Sequence, residues 1–126
     1  MLSTIGQIGS TVKDLPAAIA FYRDTLGLKQ LFEVGRMAFF DCGGIRLMLS
    51  TGEQPSENYN SILYFRVDDI QAVHRSLAER GVSFEREPHL VARLSDHELW
   101  MAFFRDPDGN LLALMSEVRE PVSQQA

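Results

Sequence analysis

The chain has 126 residues, 45% of them hydrophobic and 23% charged, which suits one domain built on one core. Seventeen acidic against twelve basic residues give a net charge of −5, so the basic excess of a nucleic-acid-binding surface is missing. The longest apolar runs, such as Leu99–Phe104, are too short to span a bilayer; Met1-Leu2-Ser3-Thr4 lacks a signal-peptide pattern, and the single Cys42 allows no intrachain disulfide. A cytoplasmic protein with no nucleic-acid or membrane partner is expected.

The first element is a strand over Thr4–Val12, a stretch of β-branched and small residues with Ile8, Ser10 and Val12 alternating against Gln7, Gly9 and Thr11. Asp14 is a fitting N-cap and Pro16 is tolerated in a first helical turn. Leu15, Ile19, Tyr22 and Leu26 then repeat at helical spacing until Gly27 supplies the stop. Leu28–Val34, Arg36–Phe40 and Ile45–Ser50 read as short strands, separated by Gly35 and by Asp41-Cys42-Gly43-Gly44. Cys42 reads as a small residue beside that turn. Thr51–Asn60 is polar and reads as a connection.

The same order then returns. Ser61–Val67 is a strand, and Asp68 or Asp69 caps a helix whose stripe is Ile70, Val73 and Leu77, ending at Gly81. His74 falls one step off the stripe, on the helix flank. Strands are predicted at Val82–Glu87, Leu99–Phe104 and Asn110–Met115, the last two joined by Asp106-Pro107-Asp108-Gly109. Pro presets φ in that turn and Gly accepts a positive one. The tail from Glu117 to Ala126 is polar and reads as frayed.

This recurrence is an internal duplication. Val12-Lys13-Asp14-Leu15 matches Val67-Asp68-Asp69-Ile70 at an offset of 55, and Asp41–Gly44 matches Asp106–Gly109 at an offset of 65. The difference points to an insertion in the second half, within Pro88–Glu98. The expected fold is therefore α+β: a single domain over 1–126, with βαβββ halves at about 4–50 and 61–116. The two modules would form a curved mixed sheet around a central cleft, with the helices on the outer face.

The run Ile5-Gly6-Gln7-Ile8-Gly9-Ser10-Thr11-Val12-Lys13-Asp14-Leu15, with Phe21-Tyr22 and Leu26-Gly27-Leu28, resembles the opening of the vicinal oxygen chelate superfamily. That superfamily includes glyoxalase I, extradiol dioxygenases, and bleomycin- and fosfomycin-resistance proteins. Phe103-Phe104-Arg105-Asp106-Pro107-Asp108-Gly109-Asn110-Leu111 is similar to its most recurrent signature. The resemblance spans Thr4 to about Met115 and implies paired βαβββ modules, commonly in a homodimer. It does not imply one reaction, because the fold hosts several chemistries.

The resemblance also implies a divalent metal held by four strand positions, two per half. On this sequence they fall on Gln7, Met48, Ile62 and Ala113, and the duplication offsets select the same four. Only Gln7 among them is a plausible ligand for Zn, Ni, Fe or Mn; Ile and Ala have no donor atom, and a thioether suits Cu(I). The residues therefore disfavour a metal cofactor that the resemblance suggests. Gln7 reads either as a polar group aimed at a ligand or as a satisfied buried amide.

With Gln7 facing inward, alternation places Ile5, Gly9 and Thr11 on its face. Arg46, Met48 and Ser50 follow by the same parity, as do Ile62, Tyr64 and Arg66, and then Leu111, Ala113 and Met115. The alternate residues are apolar and suit a layer beneath the helices. Such a wall is the usual make-up of an organic-ligand site, or else plain core where the two faces meet. Arg46 and Arg66 would either meet a carboxylate or phosphate of a ligand or pair with surface acids near strand ends. His97, between Asp96 and Glu98, either enters the cleft or stays with His89 on the inserted loop.

The expected function is binding of a small organic molecule, with or without its conversion, in a cleft that has lost the usual metal ligands; no catalytic residue is assigned. The alternative is a metal-dependent lyase, isomerase or dioxygenase with displaced ligands, Gln7 with His97, whose metal would polarise a carbonyl or enediolate. A third reading is a structural dimer without a ligand.

Overall fold

The computed structural model describes residues 1–51 and 60–119. The observed order is β1 (Gln7–Thr11), α1 (Leu15–Ala20), β2 (Lys29–Val34), β3 (Met37–Cys42), β4 (Ile45–Ser50), β5 (Leu63–Arg66), α2 (Ile70–Glu79), β6 (Phe84–Arg93), β7 (Glu98–Arg105) and β8 (Leu111–Val118). The βαβββ order thus occurs twice, as the duplication requires. The chain divides into two compact units, Met1–Ser61 with Asp106–Asn110, and Ile62–Arg105 with the described residues from Leu111 onward.

In the first unit the sheet order is β1-β4-β3-β2, with β1 parallel to β4 and the other neighbours antiparallel. Asp14 caps α1 as expected, its side chain accepting from the Ala17 amide at 3.1 Å, and Pro16 sits in the first turn. The helix then widens into a π-helical stretch over Phe21–Thr25, closed by a Leu26 N–H to Phe21 C=O bond of 2.9 Å. One face of the sheet is covered by α1. Leu15, Ala18, Ile19 and Tyr22 are buried there with Ala38, Phe40, Leu47 and Leu49.

The second unit repeats the topology as β5-β8-β7-β6. Asp69, rather than Asp68, caps α2, accepting from the Ala72 amide at 3.1 Å. The helix stops where predicted. Gly81 takes a φ of 93°, Gly81 N–H donates to Ala78 C=O, and Val82 N–H to Leu77 C=O, which satisfies two carbonyls that the helix end would leave bare. Ser116 is fully buried and its hydroxyl donates to the Asp68 carbonyl, tying β8 to the start of α2. His74 meets the Phe84 ring edge-on at 4.4 Å, a helix-flank contact as expected.

The insertion needs correcting. Pro88–Arg93 is not a loop but the continuation of β6, which runs ten residues instead of ending at Glu87. β8 likewise continues to Val118, so Glu117 is a strand residue rather than the start of a frayed tail. The extra residues lengthen a hairpin, and β6 absorbs them through three register shifts against β7. A bulge consumes a residue without changing composition, so no turn signal marked it. Of the Thr51–Asn60 connection, residues 52–59 lie outside the described residues, as do 120–126 of the tail.

Candidate functional site

In the first unit, strand register identifies the sheet face that α1 leaves uncovered. Gln7, Gly9 and Thr11 stand beside Arg46, Met48 and Ser50, and these in turn face Asp41, Phe39 and Met37. A bulge between Gln30 and Phe32 brings Phe32 onto the same face, opposite Phe39. The two rings stack at 4.5 Å with 25° between their planes. The Arg46 guanidinium lies over both, 5.9 Å from the Phe32 centroid and 5.8 Å from that of Phe39, within cation–π range. The Gln7 amide donates to the Met48 sulfur at 3.7 Å. Gln7, Arg46 and Met48 are thus brought together. Phe32 and Phe39 were missed. Phe39 was within reach of the alternation argument, whereas the bulge hid Phe32.

The second unit's uncovered face carries Tyr64 beside Ala113 and Arg66 beside Met115, with Phe103 and Met101 on the other side of β8. Ile62 precedes β5 and is partly exposed. His89 pairs with Met101 on the same row, and its ring lies 6.2 Å from that of Phe103. It is therefore a strand residue, not one of an inserted loop. Ala113 is fully buried. Its two strand neighbours stand about 10 Å apart across β8. Yet the Tyr64 and Phe103 rings meet edge-on at 6.3 Å, so they lean together over the alanine.

Comparing the units explains this arrangement. Gly9 pairs with Met48 where Tyr64 pairs with Ala113, and Phe39 and Phe103 stand on the third strand of each row. One row joins glycine to a large residue, and the other joins alanine to a large residue on the opposite strand. A Cβ at Gly9 would approach the Met48 methyl to 3.3 Å, so glycine makes room for the methionine.

His97 lies in the turn between β6 and β7, where Leu94 N–H donates to its carbonyl. Its Nδ1 is 2.7 Å from Asp96 Oδ1, and Asp96 in turn accepts from Arg119 at 2.6 Å. The Arg119 guanidinium first, and the His97 ring after it, hold the Asp96 carboxyl down to about 2. Of the two readings open for Arg46 and Arg66, pairing with surface acids is not found among the described residues.

The signature Asp106-Pro107-Asp108-Gly109-Asn110 forms a polar knot in the first unit. Asp106 Oδ1 accepts from the Asp108 and Asn110 amides, and Oδ2 accepts from the Tyr22 hydroxyl at 2.8 Å and from Asn110 Nδ2 at 2.8 Å. Asn60 bonds both the amide and the carbonyl of Thr11, and also Asn110 Oδ1. Asp108 Oδ1 takes the Lys13 amide. The signature therefore clamps the end of β1 and the helix start; both Asp106 oxygens and Asp108 Oδ1 accept from protein donors, while the buried Asp108 Oδ2 has no partner among the described residues. Burial first, and then the Asp106 carboxylate, push the Tyr22 phenol far above its ordinary range.

Residues 4–114, which carry the duplicated βαβββ order and this knot, match a family model for the glyoxalase/bleomycin resistance protein/dioxygenase superfamily. The chain belongs to that superfamily. It is 31% identical to the uncharacterized protein YraH of Bacillus subtilis, over 86% of this chain and 94% of that one. It is 28% identical to the metallothiol transferase FosB of Staphylococcus saprophyticus, over 90% of this chain and 77% of that one. Among solved structures, the lactoylglutathione lyase of Agrobacterium tumefaciens is similar with a TM-score of 0.71 and 25% identity, covering 90% of this chain and 93% of that one.

The four positions that the superfamily resemblance assigns to metal ligands do not fit a divalent ion. Gln7 offers one amide oxygen, and its amide nitrogen is already turned to Met48. Met48 presents a soft sulfur, while Ile62 and Ala113 present no donor atom. Among the described residues, no group of three or more His, Cys, Asp or Glu side chains is placed to hold a metal. No helix among them is long and apolar enough to cross a membrane.

Proposed function

We propose that this superfamily member binds a small organic molecule on the uncovered faces of its sheets, without a metal at the superfamily's ligand positions. The observation that carries the reading is the first face, where Gln7, Arg46 and Met48 adjoin a stacked Phe32–Phe39 pair. An apolar and aromatic surface with a few convergent polar groups is what organic ligands use. Tyr64, Arg66, Met115 and the ring of Phe103 supply a similar mixture on the second face. In this reading Ala113 is a spacer beneath two rings, and His97 is oriented by Asp96 at the hairpin turn. A cytoplasmic homodimer is part of the reading; the two edge strands that each sheet retains support the dimer.

A thermal-shift screen of small organic molecules tests it, since a ligand at a hundred times its dissociation constant adds about 2.7 kcal/mol of stability. Methyl-labelled methionine locates the binding. A stabilising ligand should shift the Met48 or Met115 methyl signal and leave that of the fully exposed Met1 in place. Stabilising compounds that move neither Met48 nor Met115 would contradict the assignment.

A further inference from the structure

Resting on the binding reading above, we propose that the ligand of the first unit's open face is a flat carboxylate, with an aromatic or conjugated body, and that Arg46 selects it. The argument begins with charge. The chain as a whole is acidic at −5, yet the strand positions of this face carry two cations, Lys29 and Arg46, against one carboxylate, Asp41. Asp41 stands directly across from Arg46 in the β3–β4 register but does not pair with it. Its Oδ1 accepts from the Gly44 amide at 3.3 Å instead. Among the described residues, Arg46 makes no ion pair. Its guanidinium lies over two rings, and its side-chain donors meet no acceptor among the described residues.

Stacking on rings leaves the edge of a guanidinium available, and that edge matches the two oxygens of a carboxylate. Gln7 is the register partner of Arg46 on the neighbouring strand. Its amide N–H now points at a thioether, a weak acceptor at 3.7 Å, and a carboxylate oxygen would replace that contact at a gain. The body of the ligand follows from the rings. Phe32 is 43% exposed while stacked on the buried Phe39, so it offers a flat apolar surface next to the guanidinium. A planar acid can meet both at once.

Three isosteres that differ in charge provide the test: benzoate, benzamide and benzamidine, titrated calorimetrically and by methionine methyl shifts. Benzoate should bind in the millimolar range, about tenfold more tightly than benzamide, with benzamidine weakest. Arg46→Gln should reduce benzoate to the level of benzamide while the melting temperature stays near that of the parent. Arg46→Lys, which keeps the charge and loses the planar fork, should fall between. Phe32→Ala should weaken benzoate and benzamide alike.

Equal binding of the three isosteres, no binding of benzoate, or a benzoate preference that survives Arg46→Gln would each overturn the proposal. Phenylphosphonate binding more tightly than benzoate would overturn the carboxylate assignment in favour of a tetrahedral oxyanion. A neutral ligand from the open screen, held equally well by Arg46→Gln, would sustain the binding reading and sink this one.

Discussion

Asp106→Ala should lower stability by about 4 kcal/mol, which for a chain of this size is a fall in melting temperature of roughly 10–20 °C. The side chain is 5% exposed and accepts two backbone amides, the Tyr22 hydroxyl and the Asn110 amide. Truncation leaves four donors without an acceptor, and a buried unmade bond costs more than a made one contributes. Asp106→Asn keeps one oxygen for the backbone amides and should cost less. Tyr22→Phe provides the companion readout. The Tyr22 phenol titrates near 10 when unfolded and higher when folded, because burial and Asp106 disfavour the phenolate. Its contribution is therefore complete below pH 10 and is lost as pH rises above it, since only the unfolded chain then releases the proton. Chemical denaturation from pH 8 to 11 should show that alkaline loss in the parent and a shallower one in Tyr22→Phe. A parent and variant with the same slope, or an Asp106→Ala protein as stable as the parent, would contradict the knot's role.

Ala113→Trp should destabilise the second unit by 1–3 kcal/mol, about the usual cost of overpacking, or by more. Ala113 has no exposed surface, and the Tyr64 and Phe103 rings close over it from the two neighbouring strands. A large ring at that point must displace both. Urea melts of Ala113→Trp and of Ala113→Trp with Tyr64→Gly decide the matter. The double variant copies the first unit's arrangement of Gly9 beside Met48, and should recover part of the loss. A single variant with unchanged stability would mean that open space lies above Ala113.

Much of the fold was legible because each signal was local. Asp14, Asp69, Gly27 and Gly81 mark helix ends by chemistry that a sequence displays, and the offsets of 55 and 65 align strands whose observed registers agree with them. Alternation also separated the faces. Leu47, Leu49, Leu112 and Leu114 are buried beneath the helices, while Arg46, Tyr64 and Arg66 are exposed on the other side. What escaped was set by bulges and distant partners. The shift between Gln30 and Phe32 decides which face Phe32 takes, and the shifts in β6 turned a supposed loop into strand. Asn60 looked like a polar spacer because nothing near it in sequence reveals its bonds to Thr11 and Asn110. Of the candidate site, Gln7, Arg46 and Met48 were found by parity and do adjoin. Ala113 was expected at the deepest open point, but it is buried beneath an aromatic pair that parity alone could not show.

The claim that the superfamily's ligand positions no longer serve a metal is tested most directly by elemental analysis of the protein purified without chelators. Gln7, Met48, Ile62 and Ala113 together provide one hard donor, so Zn, Ni, Fe and Mn should each be far below one equivalent per chain. A stoichiometric transition metal that survives dialysis would contradict the account. It would favour a metal-dependent lyase, isomerase or dioxygenase with displaced ligands, in which Gln7 and His97 are the first residues to replace.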